Sequence, residues 1–215
     1  MKDIILIGGG GHCKSIADTI ITSTDYNILG VIDIREKIGK KVYDNIYVNG
    51  CDEDLEFYFK EGVKYAFISV GSIGNTFLRR KLYKKLCDIG FEMPIIIDKM
   101  AIISKEIFIG EGTFIGKGSI INSNVSIGKN CIINTGSILE HDCNIGDFVH
   151  VSSGAVICGN ASVGNDSHIG CNATVIEGIK IGKRSIVGAG SVILRDIDND
   201  KKIVGNPGRR LENEG

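Results

Sequence analysis

Four histidines, at positions 12, 141, 150 and 168, are the side chains of this chain best suited to moving protons near neutral pH. A neutral imidazole with an ordinary pKa of roughly 6.5 accepts a proton under physiological conditions. His141 lies in Glu140-His141-Asp142-Cys143, between two acids. One reading is a general base whose other ring nitrogen is held by Asp142 or Glu140, which fixes the tautomer; the other is a surface histidine among solvated neighbours. His150 and His168 fit interface packing, with a substrate contact for His150, or two ligands of a metal that needs a third ligand from elsewhere. His12 follows four glycines, Gly8 to Gly11, where it touches a bound phosphate or fills the turn. The seven cysteines include no C-x-x-C pair, and none stands with a histidine as a nucleophile pair. Reduced core packing is the reading for them, and no metal site is expected.

A repeat positions these groups. From Ile103 to Ile193 every sixth residue is Ile, Leu or Val, and the residue two before it is usually small, as in Ser119, Cys131, Cys143, Ala155 and Ser167. A period of six fits a parallel β-helix in which three short strands close a coil of about 18 residues. Side chains alternate along a strand, so the small and the aliphatic residue point inward together. Residues 18 apart then stack. The outward positions form one face of Phe114, Ile132, His150, His168 and Ile186, a second of Ile120, Ile138, Val156, Thr174 and Val192, and a polar third of Ser126, Asn144, Ser162 and Lys180. Two apolar outer faces call for cover by neighbours. A subunit touching two others closes a ring, and a homotrimer is the simplest one.

The corners carry three more columns. Lys129, Asp147, Asn165 and Lys183 read as a solvated edge; Thr135, Ser153, Cys171 and Ala189 are small and uncharged; Ser123, His141, Gly159 and Glu177 place a histidine one coil from a glycine. A histidine beside a slot lined by small residues suits acyl transfer.

The first hundred residues have another pattern. Asp3 to Ile7 reads as a strand entering the glycine turn, followed by a helix from about His12 to Ile21 and a strand, Ile28 to Ile34, with Asp33 near its end. This is a βαβ start, in which N–H groups at the helix N-terminus hold a phosphate, although Cys13 stands where a dinucleotide fingerprint has its third glycine. A strand Tyr65 to Val70 leads through Gly71 into a helix ending near Ile89, whose Arg79, Arg80, Lys81, Lys84 and Lys85 read as a solvated face rather than a diphosphate clamp. Pro94 and a strand Ile95 to Ile97 complete a small parallel sheet. The expected domains are therefore residues 1–98, Rossmann-like and large enough for a mononucleotide half, and 99–215, the β-helix with its tail. A net charge of -1 gives no footprint for nucleic acid or an anionic membrane. No apolar run approaches the roughly 18 residues of a span and no signal-peptide pattern opens the chain, so a cytoplasmic protein without membrane insertion is expected.

The ladder, Gly-Gly-Gly-Gly-His-Cys-Lys at 8–14, Asn134-Thr135-Gly136 ahead of Glu140-His141-Asp142-Cys143, His150 nine residues after His141, and Gly205-Asn206-Pro207-Gly208 together resemble the hexapeptide-repeat nucleotide-sugar acetyltransferases. That family includes bacillosamine-pathway and perosamine N-acetyltransferases and sialic acid O-acetyltransferases. The resemblance covers nearly the whole chain. It implies a left-handed β-helix, acetyl-CoA bound between adjacent β-helices of a trimer, and a nucleotide-linked amino sugar held by the N-terminal domain. Carried over, His141 is the base and Asp142 its orienting acid, with Asn134 and His150 on the substrate. Gly159, Cys171, Ala189 and Pro207 lie along the cofactor, and Gly10, His12, Asp33 and Gly71 match nucleotide-sugar positions. Some relatives carry a second acid where this chain has Ile34, and Pro207-Gly208-Arg209 replaces the usual Pro-Ala-Lys. The implied reaction is direct acetyl transfer from acetyl-CoA to the amino group of a nucleotide-linked 4-amino-deoxysugar, for glycan biosynthesis. The rivals are a sialic acid O-acetyltransferase, a carbonic anhydrase-like metal enzyme on the same solenoid, and a non-catalytic nucleotide-binding scaffold.

Overall fold

The computed structural model describes residues 1–211. They divide into two units, Met1–Ser72 with Phe77–Lys99, and Ile73–Thr76 with the chain from Met100 onward.

The first unit is built on a run of four apolar residues. Ile4 to Ile7 are all at most 2% exposed, as a central parallel strand covered on both faces must be. This strand, β1 (Lys2–Ile7), leads into α1 (Gly11–Ser23), β2 (Tyr26–Ile32), β3 (Lys41–Tyr43), β4 (Ile46–Gly50), α2 (Leu55–Lys60), β5 (Tyr65–Ile68) and α3 (Phe77–Ile89). The sheet order is β3-β4-β2-β1-β5, parallel except for the β3–β4 edge pair. α1 buries Cys13, Ile16, Ala17 and Ile20, the spacing that presents one helix face to a sheet. Strand order reverses about β1, and open α/β sheets bind ligands at such a switch point, outside the carboxyl ends of the strands. The glycine turn after β1 and Gly71 after β5 both lie there.

Several boundaries differ from the sequence reading. β2 runs two residues earlier and stops at Ile32, and β5 stops at Ile68. Strands β3 and β4 and helix α2 were not anticipated. Ile96–Ile97 is not part of this sheet, where Glu92 instead bridges Tyr65 in parallel. Arg79 is a further correction, since it is 1% exposed and not solvated. Its Nη1 donates to the carbonyls of Ile68 at 3.1 Å and Val70 at 2.6 Å, oxygens freed where β5 ends. Leaving buried acceptors without a donor costs about 1–3 kcal/mol. Arg79→Leu should therefore lower the melting temperature markedly, whereas Arg80→Leu on the same helix should not.

The second unit is a left-handed parallel β-helix of three sheets in which strands pair at a register of 18, as Ile132 with His150 and His150 with His168. From Ile115 to Ile193 every ladder residue is at most 3% exposed. The small inward residues do more than save space. Thr113 donates to Gly128 O at 2.9 Å while accepting from Cys131 N, and Ser167 likewise joins Gly182 O and Ser185 N. The thiols of Cys131 and Cys143 reach Gly146 O and Cys158 O at 3.0 and 3.1 Å. These cysteines are core packing, and burial pushes the Cys143 thiol up to about 11. Each corner needs one left-handed residue: Asn124, Asp142 and Asn160 have φ of 60°, 61° and 55°, a conformation that Asn and Asp tolerate better than most residues.

One expected outer face is already buried over three of its five positions, while His168 and Ile186 stay half-exposed. Phe114, Ile132 and His150 are 2%, 1% and 9% exposed in the single chain. The segment Ile73–Thr76 folds onto this unit, with Gly74 against Ile186 and Thr76 donating to Asp166 at 2.7 Å. Periodicity shows that a face is apolar but not what covers it. The face of Ile120, Ile138, Val156, Thr174 and Val192 remains half-exposed.

Candidate active site

His141 stands at the corner between that half-exposed face and the polar face, following the strand Ile138–Leu139. Its Nδ1 lies 2.8 Å from Asp142 Oδ2, so the neutral ring that donates Nδ1–H to the carboxylate leaves Nε2 with its lone pair outward. Asn124 donates to the other Asp142 oxygen at 2.7 Å, and Asn122 donates to Glu140 at 2.9 Å. The coil below thus fixes both acids. These two asparagines were missed in the sequence, although the 18-residue step places each directly beneath its acid.

The hydrogen bond to the Asp142 carboxylate raises the His141 pKa above its ordinary 6.5; desolvation opposes this, and the charges of Asp142, Glu140 and Glu177 add to it. Asn124 and His141 hold the Asp142 carboxyl below its usual range. Asp142→Asn keeps a residue suited to the left-handed corner but removes the charge. An NMR titration of the imidazole should show a midpoint above 6.5 in the native protein and a lower one in this variant.

The ring lies on Gly159. A Cβ there would sit 2.7 Å from His141 Nε2 and Cε1, so only glycine leaves this space open. In the solvated corner column the equivalent N–H groups are capped from the next coil, as Lys129 N by Asp147 Oδ1 and Asp147 N by Asn165 Oδ1, each at 3.0 Å. The Gly159 N–H has no acceptor among the described residues. An imidazole lone pair beside an uncapped backbone N–H is a base next to an oxyanion donor.

Asn134 and His150 form a second group, with Asn134 Nδ2 3.3 Å from His150 Nε2 and Asn134 Oδ1 accepting from Thr135 N at 2.8 Å. His150 meets His168 edge to face, ring centroids 4.9 Å apart, and burial lowers the His168 pKa. Among the described residues no three His, Cys, Asp or Glu side chains converge as metal ligands. Cys171 and Ala189 are exposed along their corner, and Pro207 lines a cavity of about 350 Å³ with Ile193, Leu194, Arg195 and Gly208.

In the first unit Gly10 is the N-cap of α1 with open space before it, and Gly71 lies against His12, whose Cβ is 3.7 Å from the position of an added one. Asp33 lines a cavity of about 470 Å³ with Gly8, Ile34, Arg35 and Cys51; Gly10, His12 and Gly71 do not line it. The Asp33 oxygens accept from Gly9 N and Ile34 N at 2.7 Å and from Lys37 Nζ at 3.0 and 3.1 Å. Burial acts to raise the Asp33 pKa, but these donors outweigh it and hold the carboxyl below its usual range. The carboxylate thereby ties the glycine turn to the end of β2. No helix among the described residues is long and apolar enough to cross a membrane.

Comparison with known proteins places both units. The PglD N-terminal domain model matches residues 3–86, and the bacterial transferase hexapeptide (six repeats) model matches 106–141 and 160–195. UDP-N-acetylbacillosamine N-acetyltransferase of Bacillus subtilis (strain 168) is 36% identical over 118 residues, which is 54% of this chain and 51% of that protein, so the match spans about half the length of this curated relative. A histidine-to-asparagine variant of perosamine N-acetyltransferase from Caulobacter crescentus, in complex with CoA and GDP-perosamine, superimposes with a TM-score of 0.92 at 30% identity over 99% of this chain and 98% of that one. The acetyltransferase domain of PglB from Neisseria gonorrhoeae FA1090, in complex with acetyl coenzyme A, gives 0.86 at 26% identity over 98% and 99%.

Proposed function

Because this chain belongs to the hexapeptide-repeat nucleotide-sugar acetyltransferases with a PglD-type N-terminal domain, we propose that it transfers the acetyl group of acetyl-CoA to the amine of a nucleotide-linked 4-amino-deoxysugar. The observation that carries this reading is the His141 imidazole, oriented by Asp142 and lying over the uncapped Gly159. The sugar nitrogen attacks the thioester carbonyl, and the N–C bond forms. The Gly159 N–H steadies the developing oxyanion, and His141 Nε2 takes the proton that the nitrogen loses. The C–S bond then breaks, and the proton passes from His141 to the departing CoA sulfur. No acyl-enzyme is required.

The first unit, taken as residues 1–98, holds the nucleotide sugar at the switch point, with Gly10, His12 and Gly71 on the phosphates and Asp33 bracing the turn. Residues 99–215 carry the chemistry, with Cys171, Ala189 and Pro207 along the cofactor and Asn134 and His150 on the sugar. The half-exposed face of Ile138 and Val156 supports a homotrimer whose subunit boundary runs beside His141. Val156→Glu, at the middle of that face, should yield monomers in sedimentation velocity that have lost activity.

A thiol-release assay with acetyl-CoA over UDP-, dTDP- and GDP-linked 4-amino sugars and free sialic acid tests the reaction. Release dependent on a nucleotide amino sugar is expected; release with sialic acid alone would overturn the proposal.

A further inference from the structure

His168 takes part in no step of the proposed reaction, yet it stands in a column whose other members, His150 apart, are Phe114, Ile132 and Ile186. Its strand pairs directly with that of His150, and the two rings meet edge to face, centroids 4.9 Å apart and planes at 77°. Its Nδ1 is buried without a hydrogen-bond partner among the described residues, and its Nε2 lies 3.5 Å from the Oγ of Ser152. A buried N–H is rarely left unpaired, whereas an idle lone pair is tolerated more readily, so the proton sits on Nε2, facing Ser152. Burial lowers the pKa below its ordinary 6.5, which leaves the ring neutral at physiological pH. His168 therefore contributes a flat, uncharged ring at a position where a leucine would also fit the column.

The ring it meets has a defined polarity. Asn134 Oδ1 accepts from the backbone N–H of Thr135 at 2.8 Å, which fixes the amide and turns its Nδ2 toward His150 Nε2 at 3.3 Å. Two facing N–H groups would repel, so His150 Nε2 carries the lone pair and Nδ1 the proton. At 3.3 Å the Asn134 contact is a long one that a sugar hydroxyl can replace. Where that lone pair points depends on the second side-chain torsion of His150, which for histidine has broad wells and no sharp preference of its own. Packing must set it. Ile132 flanks His150 on one side of the column and the His168 ring on the other, and of these two only an aromatic ring prefers one interplanar angle over another.

Resting on the reading of His150 as a sugar contact, we infer that His168 is a positioning residue, whose ring holds the His150 imidazole at the angle that presents its Nε2 lone pair to the amino sugar. It acts through His150 and supplies no group to the chemistry.

Steady-state thiol release by the full chain tests this, with acetyl-CoA and whichever UDP-, dTDP- or GDP-linked 4-amino sugar the native protein turns over. His168→Leu suits the column and removes the idle Nδ1, so the melting temperature should hold or rise. Its KM for the amino sugar should nevertheless rise about three- to tenfold, the scale of one edge-to-face contact, while kcat and the KM for acetyl-CoA stay near native. His168→Phe keeps a ring at the same place and should restore the native KM. In a His150→Ala background His168→Leu should add nothing, because its effect passes through the missing imidazole. A native KM in His168→Leu would overturn the inference, as would an equal defect in His168→Phe or a full further loss in the His150→Ala background. A lower melting temperature and kcat in His168→Leu with no change in KM would do the same. If His150→Ala itself leaves the KM for the amino sugar unchanged, the sugar-contact reading fails, and the inference falls with it.

Discussion

His141→Gln should lower turnover by about 10²–10⁴-fold, the usual contribution of a positioned general base, while CoA binding and oligomeric state stay as in the native protein. The side chain is more than half exposed and holds no core contact, so its removal costs the fold little. What is lost is a lone pair at Nε2, aimed away from Asp142 by the 2.8 Å Nδ1 contact. The amide of glutamine fills similar space but cannot take a proton from an amine. A thiol-release assay at saturating acetyl-CoA checks this, and a fall of less than tenfold with intact assembly would remove His141 from the mechanism.

Gly159→Ala should cost about 10²-fold in turnover, because displacing a reacting group by even an ångström has that effect. The added Cβ would stand 2.7 Å from His141 Nε2, so either the imidazole swings off Asp142 or the new methyl occupies the space meant for the acyl group. Backbone strain does not explain the expected loss, since Gly159 is not among the glycines with positive φ. A melting temperature near that of the native protein alongside the activity loss would separate this clash from unfolding. Gly178 provides the contrast. It lies one coil on in the column of left-handed corner residues, with φ 72° and nothing within 4 Å of an added Cβ, so Gly178→Asn should be tolerated.

The β-helix was legible because its core is a strict one-dimensional repeat: a buried aliphatic every sixth residue fixes the register, and the register fixes every column. His141, Gly159 and Glu177 could be stacked on paper, and so could Asn124 beneath Asp142, had the step been applied to every polar residue. The cover over Phe114 and Ile132 could not be read, because a face closed by the chain itself has the same periodicity as one closed by a neighbour. The N-terminal unit was less legible. β3 has only three residues and lies at a sheet edge, where neither alternation nor a buried run develops. Arg79 read as a surface charge because its role depends on two carbonyls at the end of β5, and no spacing rule reports where a strand stops. Asp33 was found as the acid near the end of the second strand, but the donors it holds, Gly9 N, Ile34 N and Lys37 Nζ, became visible only in three dimensions.

The central claim is that the acetyl group passes in one step from CoA to a sugar nitrogen. Single-turnover NMR with isotope-labelled acetyl-CoA and a nucleotide-linked 4-amino sugar follows that group directly. The account predicts that the label appears only as an amide on the sugar, at a rate matching loss of the thioester, with none on the protein at any time. Label arriving first on a cysteine, or ending on a sugar hydroxyl, would contradict it.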